Sequence, residues 1–214
     1  MPLVRRDDHD GEPREERREN QREGAGLLEQ LQDTRAVARR RAARELAGDA
    51  AAVDAICNAL EVETDAGCRH AMLTALLVTG GERAKARLLQ LLRSEDAGLR
   101  NGAIEVLQGM PGLAGEYMDG LLADPDSDVR IFAVNILESL CHDRVPEWLM
   151  QVLHNDDHVN VCAAAVDVLT EVGGPECLPA LEALPYRFPD EPFVDFAVRT
   201  AVRRIRGTEA DDGR

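Results

Sequence analysis

Aromatic side chains are scarce in this 214-residue chain, at 3%. Its core must therefore be filled by aliphatic and small groups, above all Leu and Ala, which suits helices packed at close range. Val, Ile and Thr never alternate with polar residues between hairpin turns, so a sheet is not expected. No run approaches the roughly 18 to 20 apolar residues that span a bilayer. The N-terminus is charged from Arg5 onward and lacks the apolar stretch of a signal peptide. The expectation is a cytoplasmic protein without membrane contact. The five cysteines, at 57, 68, 141, 162 and 177, include no Cys-x-x-Cys pair and read as small buried hydrophobes of a reducing compartment. Positive charge is in deficit too: 25 basic against 40 acidic residues leave a net charge of −15. That balance argues against nucleic acid as a partner.

What the chain does contain is a repeat. Arg5 to Glu23 holds six arginines and eight acidic residues with almost nothing apolar, so residues 1–24 are expected to be a disordered charged tail. Leu27, Leu28 and Leu31 open a helical pattern that serves as an N-terminal cap. The folded part is expected to span 25–206, with 207–214 a flexible C-terminal tail. Within it an Arg is followed at three residues by a small or apolar residue and at seven by Leu. The motif recurs at Arg39, Arg69, Arg100 and Arg130, spaced 30, 31 and 30 residues apart. Later copies keep Ala165 with Leu169 and Ala201 with Ile205, but have Cys162 and Val198 in place of the Arg. A second helix follows each anchor helix and ends near Leu60, Leu92, Leu122, Leu153 or Leu184. Gly48 with Asp49, Gly80 with Gly81, Pro111 with Gly112, and Gly173 with Gly174 and Pro175 mark the reversals. Each unit is a helical hairpin whose apolar face is covered only by stacking on its neighbours. Asp65, Asp96 and Asp126 stand four residues before Arg69, Arg100 and Arg130. Each Asp is expected to cap its helix, and each Arg to reach an inter-repeat loop, as a structural ladder.

The stretch Asp124 to Leu137, with weaker copies at 65–76, 96–107 and 157–169, resembles the HEAT-like repeats first associated with phycobilisome bilin lyases. The resemblance implies an all-α fold, a right-handed α-α superhelix of five to six helical hairpins. It also implies one helix layer on each face. The same repeats serve chromophore lyases, protein-binding scaffolds and metal-dependent hydroxylases. The hydroxylases carry His-Glu pairs for a di-iron centre, and none of the five histidines here is followed by Glu.

The remaining chemistry-bearing residues are few. His154, His158 and Cys162 fall at four-residue intervals, a spacing zinc accepts on a continuous helix. Asn155 to Asp157 are expected to interrupt that helix, so no metal site is expected. Cys141 beside His142 lacks a group to orient a triad. No catalytic or cofactor-binding residue emerges, and the expected role is non-enzymatic. The second helices are expected to line the concave face with Glu116, Asp119, Glu147, Trp148, Gln151 and Glu182 as partner-binding candidates. That acidic groove suits a basic or amphipathic segment of another protein. Trp148 reads either as a hot spot of that face or as core filler. Tyr186, Phe188, Phe193 and Phe196 are four of the seven aromatics, gathered between Pro185 and Phe196. They read first as a cap over the last repeat, and otherwise, through Tyr186 and Phe188, as a contact patch. The favoured function is a protein-binding scaffold or adaptor, and the alternative is a bilin or cofactor lyase subunit or chaperone.

Overall fold

The computed structural model describes residues 23–109 and 111–212, without the side chains of 111–114, 116 and 208–212. Every regular element among them is helical. Helix α1 covers 23–30. It is followed by α2 (Ala36–Glu45), α3 (Val53–Val62), α4 (Ala66–Thr79), α5 (Gly81–Leu91), α6 (Ala97–Gln108) and α7 (Pro111–Leu122). The order continues with α8 (Ser127–Glu138), α9 (Val145–Asn155), α10 (Val159–Val172), α11 (Leu178–Arg187) and α12 (Pro192–Asp212). Short 3-10 turns precede α3 and α11, at Ala50–Ala52 and Pro175–Cys177. The even-numbered helices from α2 onward carry the anchor motif, and the odd-numbered ones from α3 onward are their partners. Residues 1–22 of the expected tail lie outside the described residues, while residues 23 and 24 already belong to α1.

Helix starts follow the acid positions read in the sequence. Asp65 accepts from the Cys68 N–H at 2.9 Å, Asp96 from Gly98 at 2.7 Å, and Asp126 from Asp128 at 2.9 Å. Each occupies the extended N-cap position and satisfies an orphan donor of the first turn. Helix α4 stops at Gly80, and the chain reverses through Gly80 (φ 59°) and Gly81 (φ 72°). A residue with a Cβ meets that left-handed region only with strain, so the paired glycines fix the turn.

The core is the anchor stripe. Ala42, Met72, Ala103, Ala133, Ala165 and Ala201 are completely buried, and Leu46, Leu76, Leu107, Leu137, Leu169 and Ile205 are at most 2% exposed. Alanine at the first position, in every copy but that of Met72, lets backbones approach, and Leu or Ile one turn later fills the space left beside it. Cys57, Cys68, Cys162 and Cys177 are buried among these side chains, and Cys141 is exposed.

The chain divides into two compact units between Ala84 and Lys85, inside α5, where the sequence suggested one continuous array. In the first, α2 and α3 both pack against α4. In the second, α6, α8, α10 and α12 pack in succession as one layer. Helices α7, α9 and α11 pack against α8, α10 and α12 respectively, and α9 also packs on α11.

Helix α12 runs on to Asp212, past Arg206 where the folded part was expected to end. A single Gly in a helix costs only about 1 kcal/mol relative to Ala, and no proline follows Gly207 to stop it. Pro185 lies within the last turns of α11 rather than in a turn between helices.

Candidate functional site

Two inter-repeat loops are built alike around one acid each. Arg39 on α2 holds the Glu63 carboxylate with both arms of its guanidinium, at 2.6 and 2.8 Å, while the Glu63 carbonyl accepts from Arg69 at 2.7 Å. Arg130 on α8 likewise holds Asp156 at 2.7 and 3.0 Å. The Asp156 carbonyl accepts from Arg187 at 2.8 Å and from the Cys162 thiol at 3.3 Å. Each loop is thereby tied to the repeat before it and the repeat after it. The Arg39 pair pulls the Glu63 carboxyl down to about 2 against the opposing effect of its burial. Arg39, Arg100 and Arg130 also bond carbonyls of the loops that precede them, Asp33, Ser94 and Asp124, at 2.8, 2.5 and 2.9 Å.

The sequence missed three members of this ladder. Arg187 sits on a second helix, so a motif anchored on first helices passes over it. It supplies the guanidinium for the loop where Cys162 has replaced the anchor Arg, bonding the Leu153 and Asp156 carbonyls. Glu63 and Asp156 are visible only as acids 24 and 26 residues after an anchor Arg.

Of the partner-binding candidates, Trp148 is completely buried and is no hot spot. It stands on the apolar stripe of α9 with Val145, Leu149 and Val152, and its indole N–H donates to Asp119 of α7 at 2.7 Å. The His142 ring lies 4.9 Å from it, seated so closely over Gly115 that a Cβ there would come within 2.7 Å of Nε2. The Arg144 guanidinium covers the indole face at 4.6 Å.

Arg144, which the sequence did not single out, organises the polar candidates around that buried indole. It meets Asp119 with two bonds of 3.1 Å and Glu147 with two of 3.2 Å, and Gln151 donates to Glu147 at 3.3 Å. The bonds from Arg144, and then from Trp148, hold the Asp119 carboxyl below the usual carboxylate range. Structure thus brings Asp119, Glu147, Trp148 and Gln151 together. Asp119, Glu147 and Gln151 are exposed. Glu116 lies on α7, but its side chain is outside the described set.

Glu182 belongs to a separate place, the seam between α11 and α12, where it pairs with Arg206 at 2.6 Å. That seam is a groove of 1150 Å³. Tyr186 on it is 86% exposed and Phe188 is half-buried under the Arg187 guanidinium. Phe193 and Phe196 are exposed as well, on the α8–α10–α12 side. The aromatics therefore do not cap the last repeat by burial. The residues that cover the apolar interior there are Leu181, Leu184, Val194 and Val198. The seam is also not acidic, since Arg199, Arg203 and Arg206 balance Glu182, Glu191 and Asp195.

The histidine and cysteine candidates separate. His154 turns its Nδ1 to the Met150 carbonyl at 2.6 Å, and His158 is the N-cap of α10. Burial pushes the Cys162 thiol up to about 11. Among the described residues no group of three or more His, Cys, Asp or Glu is placed to hold a metal. No described helix is long and apolar enough to cross a membrane.

Helical hairpins repeated in register, with carboxylates and carbonyls of the connecting loops held by arginines, define an all-α helical-repeat protein. The chain belongs to the HEAT-repeat family, whose model matches residues 24–108 and 117–206. Among solved structures it is similar to two engineered proteins of the Northeast Structural Genomics Consortium, at 18% and 21% identity. Each covers 86% of this chain, and 98% and 97% of its own, with TM-scores of 0.38 and 0.35. It is also similar to the complex of CpcE and CpcF of phycocyanin lyase from Nostoc sp. PCC7120, at 20% identity. That match covers 96% of this chain and 99% of the other, with a TM-score of 0.35. No curated protein matches the sequence.

Proposed function

We propose that the protein is a cytoplasmic, non-enzymatic scaffold that binds another protein through the exposed face of its second helices. The observation that carries this reading is the arrangement around Arg144, where two carboxylates, Asp119 and Glu147, share one guanidinium. One negative charge is left unbalanced on a surface held rigid by the buried Trp148. A basic or amphipathic segment supplies the missing positive charge and finds carboxylate and amide acceptors already oriented. The charge of the whole chain, −15, favours the same partner at long range.

The test is affinity capture with the full chain and with a Glu147→Lys, Gln151→Lys variant, both positions being exposed. One protein retained by the wild type and lost from an equally stable variant is the expected result. A synthetic basic segment of that protein is expected to compete with it. The lyase-type alternative predicts instead that the eluate keeps visible absorbance after incubation with a tetrapyrrole and a companion subunit. Such absorbance without a protein that responds to the variant replaces the scaffold reading.

A further inference from the structure

Helices α8, α10 and α12 enclose a groove of 690 Å³ on the first-helix layer. Ala164, Asp167 and Val168 line it from one face of α10, and Phe193, Phe196 and Ala197 from one face of α12, both sets at the spacing of one helical turn. Val168 is buried and the two alanines are half-buried, so the floor is apolar, whereas Phe196 is 69% and Phe193 45% exposed. Stacking of the repeat does not call for an aromatic at this place. Five residues before the anchor alanine or methionine, α4, α6, α8 and α10 have Gly67, Gly98, Asp128 and Asn160, and α2 has Val37. Two neighbouring phenyl rings left open beside an apolar floor are the kind of surface that carries protein contacts.

The charges of the groove say what fits it. Glu171 is tied to Arg204 at 2.6 Å. The Thr170 and Thr200 hydroxyls donate to carbonyls of their own helices, Val166 and Phe196, at 2.8 and 3.0 Å. Glu138 on α8 and Asp167 on α10 are exposed and have no ion pair or side-chain hydrogen bond among the described residues. None of the described residues lining the groove is basic. What the groove lacks is positive charge next to apolar surface. The rings favour the same chemistry, since the stem of a Lys or Arg packs on a phenyl face and its cation is attracted to the ring. An acidic segment or a nucleic acid is repelled. A second copy of the groove would bring the same carboxylates and no cation to meet them.

We propose that the α8–α10–α12 groove docks a short segment of another protein in which an apolar side chain is flanked by lysine or arginine. This surface is separate from the second-helix face and does not depend on the function proposed for it. The test is selection of random peptides from a display library on the immobilised full chain, followed by affinity measurement with one enriched peptide in synthetic form. The expected peptides place an apolar residue between Lys or Arg, and their binding weakens as salt rises. Phe196→Ala and the combined Glu138→Lys, Asp167→Lys variant are each expected to raise the dissociation constant about ten-fold or more. All three positions are exposed, so thermal stability is expected to stay at the wild-type value in both variants. The Glu147→Lys, Gln151→Lys variant of the second-helix face is expected to bind the peptide as the wild type does. Enriched peptides without basic residues, binding that survives both groove variants, or a library that yields no enriched peptide overturns the proposal. A peptide lost only with Glu147→Lys, Gln151→Lys belongs to the second-helix face and overturns it equally.

Discussion

Trp148 illustrates how one residue acquires its role from its neighbours. Its ring is buried on the stripe of α9, its N–H is taken by Asp119, and its face is covered by Arg144. Truncation to Ala leaves a cavity and is expected to cost about 3–5 kcal/mol, read from chemical denaturation. Replacement by Phe keeps most of the packing, loses the bond to an exposed carboxylate, and is expected to cost about 1 kcal/mol. Equal costs for the two variants would contradict this division. Glu63 makes a second residue-scale case, through pH. Its carboxyl titrates near 4.5 when unperturbed and about 2 in the folded protein. A lowered folded value means that the pair with Arg39 stabilises fully above about pH 4.5. That contribution, on the order of 3 kcal/mol, is lost as pH falls toward about 2. Glu63→Gln is expected to be less stable than the wild type at neutral pH, with the difference shrinking across that window. A constant difference from pH 5 to pH 2 would show that ionisation of Glu63 is not the source.

At the scale of elements, the ladder and the caps make separable contributions. Asp126→Ala removes the α8 cap and is expected to cost about 1 kcal/mol. Arg130→Ala strands Asp156, whose side chain is 6% exposed, and is expected to cost about 3–5 kcal/mol. Arg100 bonds the Ser94 carbonyl and stacks over Phe132 at 5.5 Å, so Arg100→Ala is expected to fall between the two. The order Arg130, Arg100, Asp126 in loss of thermal stability checks the assignment. The Arg positions lie on first helices, and their loss is expected to leave partner capture per folded molecule unchanged.

At the scale of the whole molecule, repeat proteins hold together through nearest neighbours, so damage spreads along the stack only as far as the contacts do. The division inside α5 between Ala84 and Lys85 marks where compact packing changes hands. Trp148→Ala is therefore expected to raise amide exchange in α8 to α12 more than in α2 to α4, as read by hydrogen-exchange mass spectrometry. A uniform increase throughout would indicate that both units unfold as one.

The helices, their periodicity and most of the caps were legible in the sequence, because they depend on local chemistry. Spacing near 31 residues, an Asp before the helix and glycines at the reversals each act within a few positions. The buried anchor stripe was legible for the same reason. The candidate site was legible only as a set of polar positions on second helices. Asp119 and Trp148 are 29 residues apart, and that they touch, with Arg144 between Asp119 and Glu147, follows from stacking α7 against the next hairpin. Burial of Trp148, exposure of Tyr186 and substitution of Arg187 for an anchor at Cys162 were likewise decided by which faces the hairpins cover. By itself the sequence determined which segments form helices and which of their faces are apolar. Tertiary structure alone decided which polar and aromatic groups meet and which stay open, since burial and pairing are properties of neighbours that no local pattern encodes.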